Sequence, residues 1–335
     1  MTGLQEVCCA RAAGWVGNTA ATPRINRWRL LVAVLAVGAS TCAGAVEVQF
    51  KRVVEGVYAH IGDTAGRSYE NEGLNANIGL VVTAAGAVLI DSGASFQSAR
   101  QIHAAVAKVT QQPVKWVINT GGQDQRWLGN GYFAGQGAEV IAHARAKVDM
   151  LARGGEQIAV LREVLRERVD GTVPTLPTRT IDTDDAQLTL GGMRLELRHR
   201  GGAHTPGDMM VWLPDSKVLF AGDVVYVDRM LSVLPVSNTR SWLRTFTVIE
   251  DLQPQHIVPG HGRVTHLAGA QAATRDYLLA LRAFMKKAVD EGTDVSAAAK
   301  AFNALPSSAP FARLRHGPDL MPANASWTYI EIERE

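Results

Sequence analysis

The chain has 335 residues, of which 47% are apolar and 20% charged. This length allows about two domains or one large sandwich, and this composition excludes a broadly disordered protein. Lys and Arg total 34 against 32 Asp and Glu, so the net charge is only +2. Because nucleic acids and anionic membranes select strongly basic partners, we expect a small-molecule substrate or ligand and no nucleic-acid partner.

Residues 1–45 have the pattern of a secretory signal peptide. Three arginines between residues 24 and 29 precede an uncharged run from Leu30, and the small residues 43–45 close it. The strongly apolar part ends near Val37, which is too short for the ~20 residues of a membrane crossing. We therefore predict cleavage after residue 45, a periplasmic or secreted protein, and no stable membrane association after cleavage.

All three cysteines, Cys8, Cys9 and Cys42, lie in this predicted leader. Lipidation of Cys42 is a second interpretation, which the threonine before it disfavours. If the leader is cleaved, the mature chain has no thiol. Disulfides, cysteine nucleophiles and thiolate metal ligands are then all excluded.

The remaining chain alternates between strand-like and helical patterns. Strand-like hairpins follow Val46, and a helical run then precedes the extended segment Val114–Thr120. The second half again has strands followed by a helix, over Thr239–Leu252. This order predicts two αβ halves packed sheet to sheet with helices outside. Residues 291–335 are predicted to be an appendage with a short helix, a Pro-rich loop and an extended end.

Three side chains with metal-binding chemistry each follow a strand-like run: His204, Asp223 and His261. In layered αβ folds the carboxyl ends of strands meet at one edge, where ligands bind. Taken singly, His204 also fits a turn, Asp223 a helix cap and His261 a polar tip between two glycines. Their order and flanking residues are more specific than any one of them.

These segments resemble the metallo-β-lactamase superfamily of metal-dependent hydrolases. The resemblance covers residues 46–290 nearly throughout, and rests on GVYAH, AVLIDSG, WVINT, AHTPGD, VLFAGD and PGHG. It implies an α/β fold, the four-layer αβ/βα sandwich. It also implies that His204 binds a first metal, that Asp223 bridges two metals, that His261 binds the second, and that Asp91 is a structural acid.

The sequence departs from this family directly after WVINT. The family carries His-x-His-x-Asp-His there, whereas this chain has Gly-Gly-Gln-Asp-Gln-Arg at residues 121–126, so all four ligand positions are changed. Since zinc takes about four ligands, the three remaining groups predict at most one Zn(II) or Fe(II), or no metal. Asp124 is interpreted as the cap of a helix that starts near Arg126, or else as a further oxygen ligand.

Two roles are predicted for this altered segment. Because a guanidinium repels a dication and attracts a carboxylate, we expect Arg126 to pair with Asp223 and partly replace the lost metal charge. The alternative is an exposed arginine on the first helical turn. Gly121 and Gly122, with Arg126 nearby, are also a candidate nest for a substrate or ligand anion.

Other residues receive weaker predictions. Four that follow the Asp223 strand are candidates to line a cleft: Tyr226, Arg229, Met230 and Trp242. Among the other histidines, which we expect to be structural, His143 is the candidate replacement ligand because it also follows a strand.

Three functions compete at this point. The first is a hydrolase with a reduced, at most mononuclear metal site, which acts on an unidentified small ester, amide or thioester and in which Asp223 orients or deprotonates the water. The second is a periplasmic pseudoenzyme that binds a small anionic ligand. The third is an iron-dependent oxygenase of sulfur substrates, which the loss of the first histidine of the motif disfavours.

Overall fold

Two β-sheets face each other in the computed structural model, which describes residues 47–335. The predicted signal peptide lies outside the described residues and stays a prediction. The first sheet contains seven strands, each beside its predecessor: β1 (Lys51–Val54), β2 (Val57–His60), β3 (Ile78–Thr83), β4 (Gly86–Ile90), β5 (Val114–Ile118), β6 (Glu139–His143) and β7 (Arg179–Ile181). The second sheet has the order β12-β11-β10-β9-β8, with β8 (Asp185–Leu190), β9 (Met193–Arg198), β10 (Met210–Leu213), β11 (Val218–Tyr226) and β12 (His256–His261).

Helices connect these strands and continue the chain beyond them. In the part of the chain that the structure describes, they are α1 (Phe96–Ala107), α2 (Asp124–Trp127), α3 (Asn130–Gly135), α4 (Ala144–Leu165), α5 (Thr239–Leu252), α6 (Leu267–Ala270), α7 (Asp276–Asp290), α8 (Val295–Asn303), α9 (Ala309–Ala312) and α10 (Gly317–Glu333). None of these helices is long and apolar enough to span a bilayer. The predicted helix over Thr239–Leu252 is confirmed.

Local sequence sets where the main helices begin. Ser95 caps α1 in a capping box with Ser98, so two backbone N–H groups of the first turn find acceptors. Asn238 caps α5 by accepting a hydrogen bond from the backbone N–H of Ser241. Each helix therefore starts at a fixed residue after a strand or loop.

The two sheets and the helices outside them form four layers, and apolar residues fill the spaces between the layers. Val81, Val88 and Ile118 of the first sheet meet Leu197 and Phe220 of the second in the central cluster. The outer face of the first sheet packs on α1 and α3, and the outer face of the second packs on α5 and α7. The packing of the two sheets on each other and on the helices removes large apolar areas from water. This burial is the main stabilising contribution in such a fold. The predicted four-layer αβ/βα sandwich is confirmed.

The end of the chain differs from the prediction. The segment that we expected to be extended is helical, because α10 runs from Gly317 to Glu333. Met321, Ala325 and Tyr329 recur every four residues and are buried against α7 and α8. This helical spacing outweighs the strand-like residue types of the segment, because it lets one face of the helix join the core.

Candidate functional site

The three predicted residues converge on one buried region. His204 lies in the loop between β9 and β10, and His261 is the last residue of β12. Asp223 lies inside β11 rather than past its end, at an irregularity where the pairing of β11 with β12 shifts register. The ring of Tyr226 stacks on His261 at 5.0 Å between centroids and meets His204 edge-on at 5.9 Å. All of these side chains are buried.

Arg126 occupies the centre of this region, and the predicted pairing with Asp223 is confirmed. Its Nε lies 3.1 Å from Asp223 Oδ2, and its Nη2 lies 2.5 Å from Asp223 Oδ1. Nη1 donates to Asp91 Oδ2 at 3.0 Å and to the Asn77 carbonyl at 3.2 Å. Nη2 also donates to the Gly260 carbonyl at 3.0 Å. All five N–H donors of the guanidinium thus have acceptors inside the protein.

Gly260 makes room for this arrangement. A Cβ at this position would lie 2.5 Å from Asp223 Oδ1 and 2.6 Å from Arg126 Nη2. Any side chain there would push the two partners apart. The glycine of the PGHG segment therefore allows the guanidinium to reach both the carboxylate and the backbone.

The pKa values reflect this buried charge pair. Burial raises the pKa of Asp223, but the Arg126 guanidinium and the hydrogen bond from His261 together outweigh burial and hold that pKa well below its usual range. Burial lowers the pKa of His261 to about 4, and burial also lowers the pKa of His204. At pH 7 the region therefore contains one guanidinium shared by the carboxylates of Asp223 and Asp91, and two neutral imidazoles.

The residues present do not fit the metal site that the fold family implies. Both Asp223 oxygens accept hydrogen bonds from Arg126. The Nδ1 atoms of His204 and His261 contact the Ser232 and Asn75 carbonyls, which leaves Nε2 of each ring for other contacts, and His261 Nε2 lies 3.4 Å from Asp223 Oδ1. Within residues 47–335, no group of three or more His, Asp or Glu side chains is arranged to hold a metal ion. A dication at Asp223 would also lie beside a fixed guanidinium, which repels it.

The glycines of the altered segment do not form the predicted anion nest. The Gly122 N–H donates to Thr205 Oγ1 at 3.2 Å, and Gly121 packs against the Asp208 carboxylate so closely that a Cβ would collide with it. Arg126 has no donor left for a ligand. Protein acceptors take the donors of Gly122 and Arg126, and the Asp208 carboxyl group fills the space beside Gly121, so the structure does not support the predicted anion nest of Gly121, Gly122 and Arg126.

Asp124 also differs from both of its predicted roles. The short helix α2 starts at Asp124 itself, after Gln123 as the cap residue. Arg67 donates to the Asp124 carboxylate and, at 2.6 Å, to Gln125 Oε1. The Asp124 carboxylate is therefore a partner of Arg67, and it accepts the Gln125 backbone N–H at 2.8 Å from within the first turn rather than from the cap position.

His143 does not replace a lost ligand. Its ring stacks on His199 at 3.7 Å, and its Nδ1 accepts a hydrogen bond from the backbone N–H of Arg145 at 3.3 Å. Burial lowers the pKa of His143 to about 4. Among the described residues, no contact joins it to His204, Asp223 or His261, so it is a structural histidine at the start of α4.

A cleft lies next to this buried region, and the sequence did not indicate one of the residues that line it, Arg67. A cavity of about 410 Å³ has polar walls from Arg67, Gln123 and Asp124 on one side and from Arg153 and Glu156 of α4 on another. Arg67 lies in the irregular connection between β2 and β3, which has no periodicity. Only the folded chain brings this connection against the altered segment, so no sequence signal pointed to Arg67.

The buried carboxyl group of Asp208 makes the stability of the fold depend on pH. It is 2% exposed, and burial together with the nearby Asp223 raises its pKa to about 8. The fold thus favours the neutral acid, so its contribution to stability is complete below the ordinary pKa of 3.8 and is lost as the pH rises towards 8.

Replacing Asp208 with Asn should remove the loss of stability that the parent shows as the pH rises. We expect the stability of Asp208→Asn relative to the parent to rise between pH 4 and pH 8, by on the order of 1 kcal/mol per pH unit. Urea unfolding at several pH values measures it. Asp215→Asn, at an exposed carboxylate, is the matched control and should show no trend. A constant difference between Asp208→Asn and the parent would contradict the assignment.

The fold places this protein in the class of two-sheet αβ/βα sandwiches. The family model described as the metallo-beta-lactamase superfamily matches residues 71–261, which is more than half of the chain. The chain therefore belongs to the metallo-beta-lactamase superfamily.

Curated relatives match only parts of the chain. It is 31% identical over 84 residues to a type 2 metallo-beta-lactamase of Bacteroides fragilis, which covers 24% of this chain and 34% of that protein. It is 30% identical over 138 residues to the acyl-coenzyme A thioesterase MBLAC2 of Gallus gallus. This match covers 37% of this chain and 49% of that protein. The matches thus span about half or less of these relatives.

Solved structures show the same fold. A metallo-beta-lactamase from Pontibacter korlensis superposes with a TM-score of 0.54 at 21% identity, and covers 67% of this chain and 95% of that chain. The DIM-1 metallo-beta-lactamase superposes with a TM-score of 0.54 at 20% identity. This match covers 68% of this chain and 96% of that chain.

Proposed function

We propose that this chain is a metal-independent member of the superfamily that binds a small organic anion in the cleft beside Arg67 and Arg229. One observation carries the proposal: Arg126 satisfies both oxygens of Asp223 and contacts Asp91 as well. A guanidinium thereby neutralises carboxylates where relatives of this fold family use metal charge. The signal-peptide pattern supports a periplasmic or secreted location for this binding protein.

Arg229 is the group that would hold the anion. Among residues 47–335, no carboxylate lies within ion-pair distance of its guanidinium, and its buried Nε has no hydrogen-bond partner. Burial lowers the pKa of Arg229, and the positive charges of Arg67 and Arg126 lower it further. A partly buried cation without an ion-pair partner is costly, so an incoming carboxylate would gain a charge-assisted hydrogen bond there.

Arg67 and the apolar residues of the cleft indicate what the ligand should contain besides the group that contacts Arg229. Arg229 Nη1 donates to the Ala65 carbonyl at 3.3 Å, which ties it to the connection that carries Arg67. The buried Nε of Arg67 also lacks a partner in the described part of the chain. The cleft that Arg67 lines is also walled by Val160 and by residues 234–236, and Arg229 is tied to it only through the contact with Ala65. The combination favours an anionic group on a short apolar body.

Hexanoate is a suitable probe, because it joins one carboxylate to an apolar chain. Isothermal titration at fixed ionic strength should show saturable binding that Arg229→Gln weakens about tenfold, the loss expected for one charge-assisted contact. Acetate, which lacks the apolar chain, should bind more weakly. Arg194→Gln, an exposed arginine on the other sheet, is the matched control and should bind like the parent. Equal binding by Arg229→Gln and the parent would contradict the proposed anchor.

Hydrolysis is the second candidate, which the names of the relatives favour. The same preparation should therefore be assayed with a β-lactam and with an acyl-thioester, with and without added zinc. We expect no turnover above the uncatalysed rate. Zinc-dependent turnover that is lost in His204→Ala would overturn the binding proposal and support the hydrolase.

A further inference from the structure

Helix α4 presents large apolar side chains to solvent. Val148 is 69% exposed and Leu151 is 72% exposed, in a protein whose other large apolar residues are mostly buried. Ala152 and Ala159 lie on the same side of the helix, and both are exposed. Contiguous apolar surface of this kind is typical of a contact with another molecule.

Gly155, in the middle of this face, has no packing contact within the described residues that requires a glycine. A Cβ on Gly154 would lie 2.9 Å from Trp127, so that glycine is needed for packing on α2. A Cβ on the exposed Gly155 would meet nothing within 4 Å. Because an interior glycine costs about 1 kcal/mol relative to alanine, the chain gives up helix stability at Gly155 without a packing gain of its own. A second helix could approach closely at this position.

A depression lies beside the same face. It has a volume of about 390 Å³ and is lined by Val148, Ala152 and Pro206, with Arg145 and Asp149 at its edge. The same surface therefore carries exposed apolar side chains and an apolar depression side by side. Such a surface can pair with a copy of itself through a two-fold axis.

The charges on α4 fit that arrangement. Arg145 and Glu163 are 18 residues apart, which is about five helical turns, so they lie on the same flank near opposite ends of the helix. Both are exposed, and neither forms an ion pair with any described residue. An antiparallel second copy would bring each Arg145 against the Glu163 of the other.

We propose that the α4 face is the interface of a symmetric homodimer, in which two copies of α4 pack antiparallel across Ala152 and Gly155. The apolar stripe and the depression supply the buried area. The two crossed pairs of Arg145 and Glu163 set the antiparallel direction. One helix and one depression make a contact below the standard area of a stable complex, so we expect micromolar self-association. This inference does not depend on the proposed ligand.

Charge exchange tests the pairing directly. Sedimentation velocity over about 1–100 μM should show a concentration-dependent dimer in the parent. Arg145→Glu and Glu163→Arg should each weaken the dimer at least about tenfold, because each brings like charges together twice. The double variant should restore association to within a few-fold of the parent, since the pair is re-formed with the signs reversed.

Controls separate this interface from other contacts. Leu151→Asp should abolish the dimer, and Arg194→Glu on the second sheet should leave it unchanged. Thermal unfolding of each variant checks that it is folded. A parent that is monomeric throughout the concentration range would overturn the proposal. A dimer that survives both Leu151→Asp and Arg145→Glu would also overturn it, because association would then use another surface.

Discussion

Replacing Arg126 with Ala is expected to lower the free energy of unfolding by about 3–5 kcal/mol, the usual cost of removing one partner of a buried ion pair. The reason is that Asp91 and Asp223, each 2% exposed, would remain buried without their shared cation. Urea unfolding at pH 7 measures the loss. Arg126→Lys keeps the charge but has three donors for five acceptor contacts, so we expect an intermediate loss.

An exposed arginine pair gives the matched control. Arg263 pairs with Asp228 at the surface, where the arginine side chain is 73% exposed. Arg263→Ala should change stability by less than about 1 kcal/mol, because surface ion pairs contribute little. If Arg126→Ala cost no more than this control, the central role of Arg126 in the fold would be refuted.

Replacing Asp223 with Ala is the second change with a large expected effect. It removes two acceptors from Arg126 and leaves the guanidinium 1% exposed with Asp91 as its only carboxylate. We expect a loss of about 3–5 kcal/mol at pH 7. The double variant Arg126→Met with Asp223→Leu should lose clearly less than the sum of the two single variants, because Arg126 and Asp223 are removed together and only Asp91 is left without its cation.

A chelator distinguishes this account from a metal site. If Asp223 stabilised the fold through a bound metal, EDTA would destabilise the parent and leave Asp223→Ala unchanged. In the present account EDTA leaves the stability of both proteins unchanged. Additive single-variant losses, or a parent that EDTA destabilises, would contradict it.

The sequence was enough to predict the layered fold and the convergence of His204, Asp223 and His261. Neighbouring parallel strands end at one sheet edge, so the strands that carry Asp223 and His261 bring those residues together. The pairing of Arg126 with Asp223 was also predictable, because a buried cation in place of metal ligands needs a nearby carboxylate.

Other features depended on tertiary contacts that a sequence pattern does not contain. Arg67 reaches Asp124 from a connection without regular structure, at a separation of 57 residues. The failure of the Gly121 and Gly122 nest has the same origin, because Thr205 and Asp208 come from a distant loop to occupy it. For α10, the residue types favour a strand, while burial of one helical face decides the outcome.

Metal analysis of the purified chain tests the central claim most directly. The parent, Arg126→Ala and His204→Ala should each be incubated with excess Zn(II), and separately with Fe(II) under anaerobic conditions, then freed of unbound metal and analysed by mass spectrometry. If Arg126 has taken the place of the metal charge, the parent should retain far less than one equivalent, as should His204→Ala. One equivalent retained by the parent and lost in His204→Ala would contradict the account.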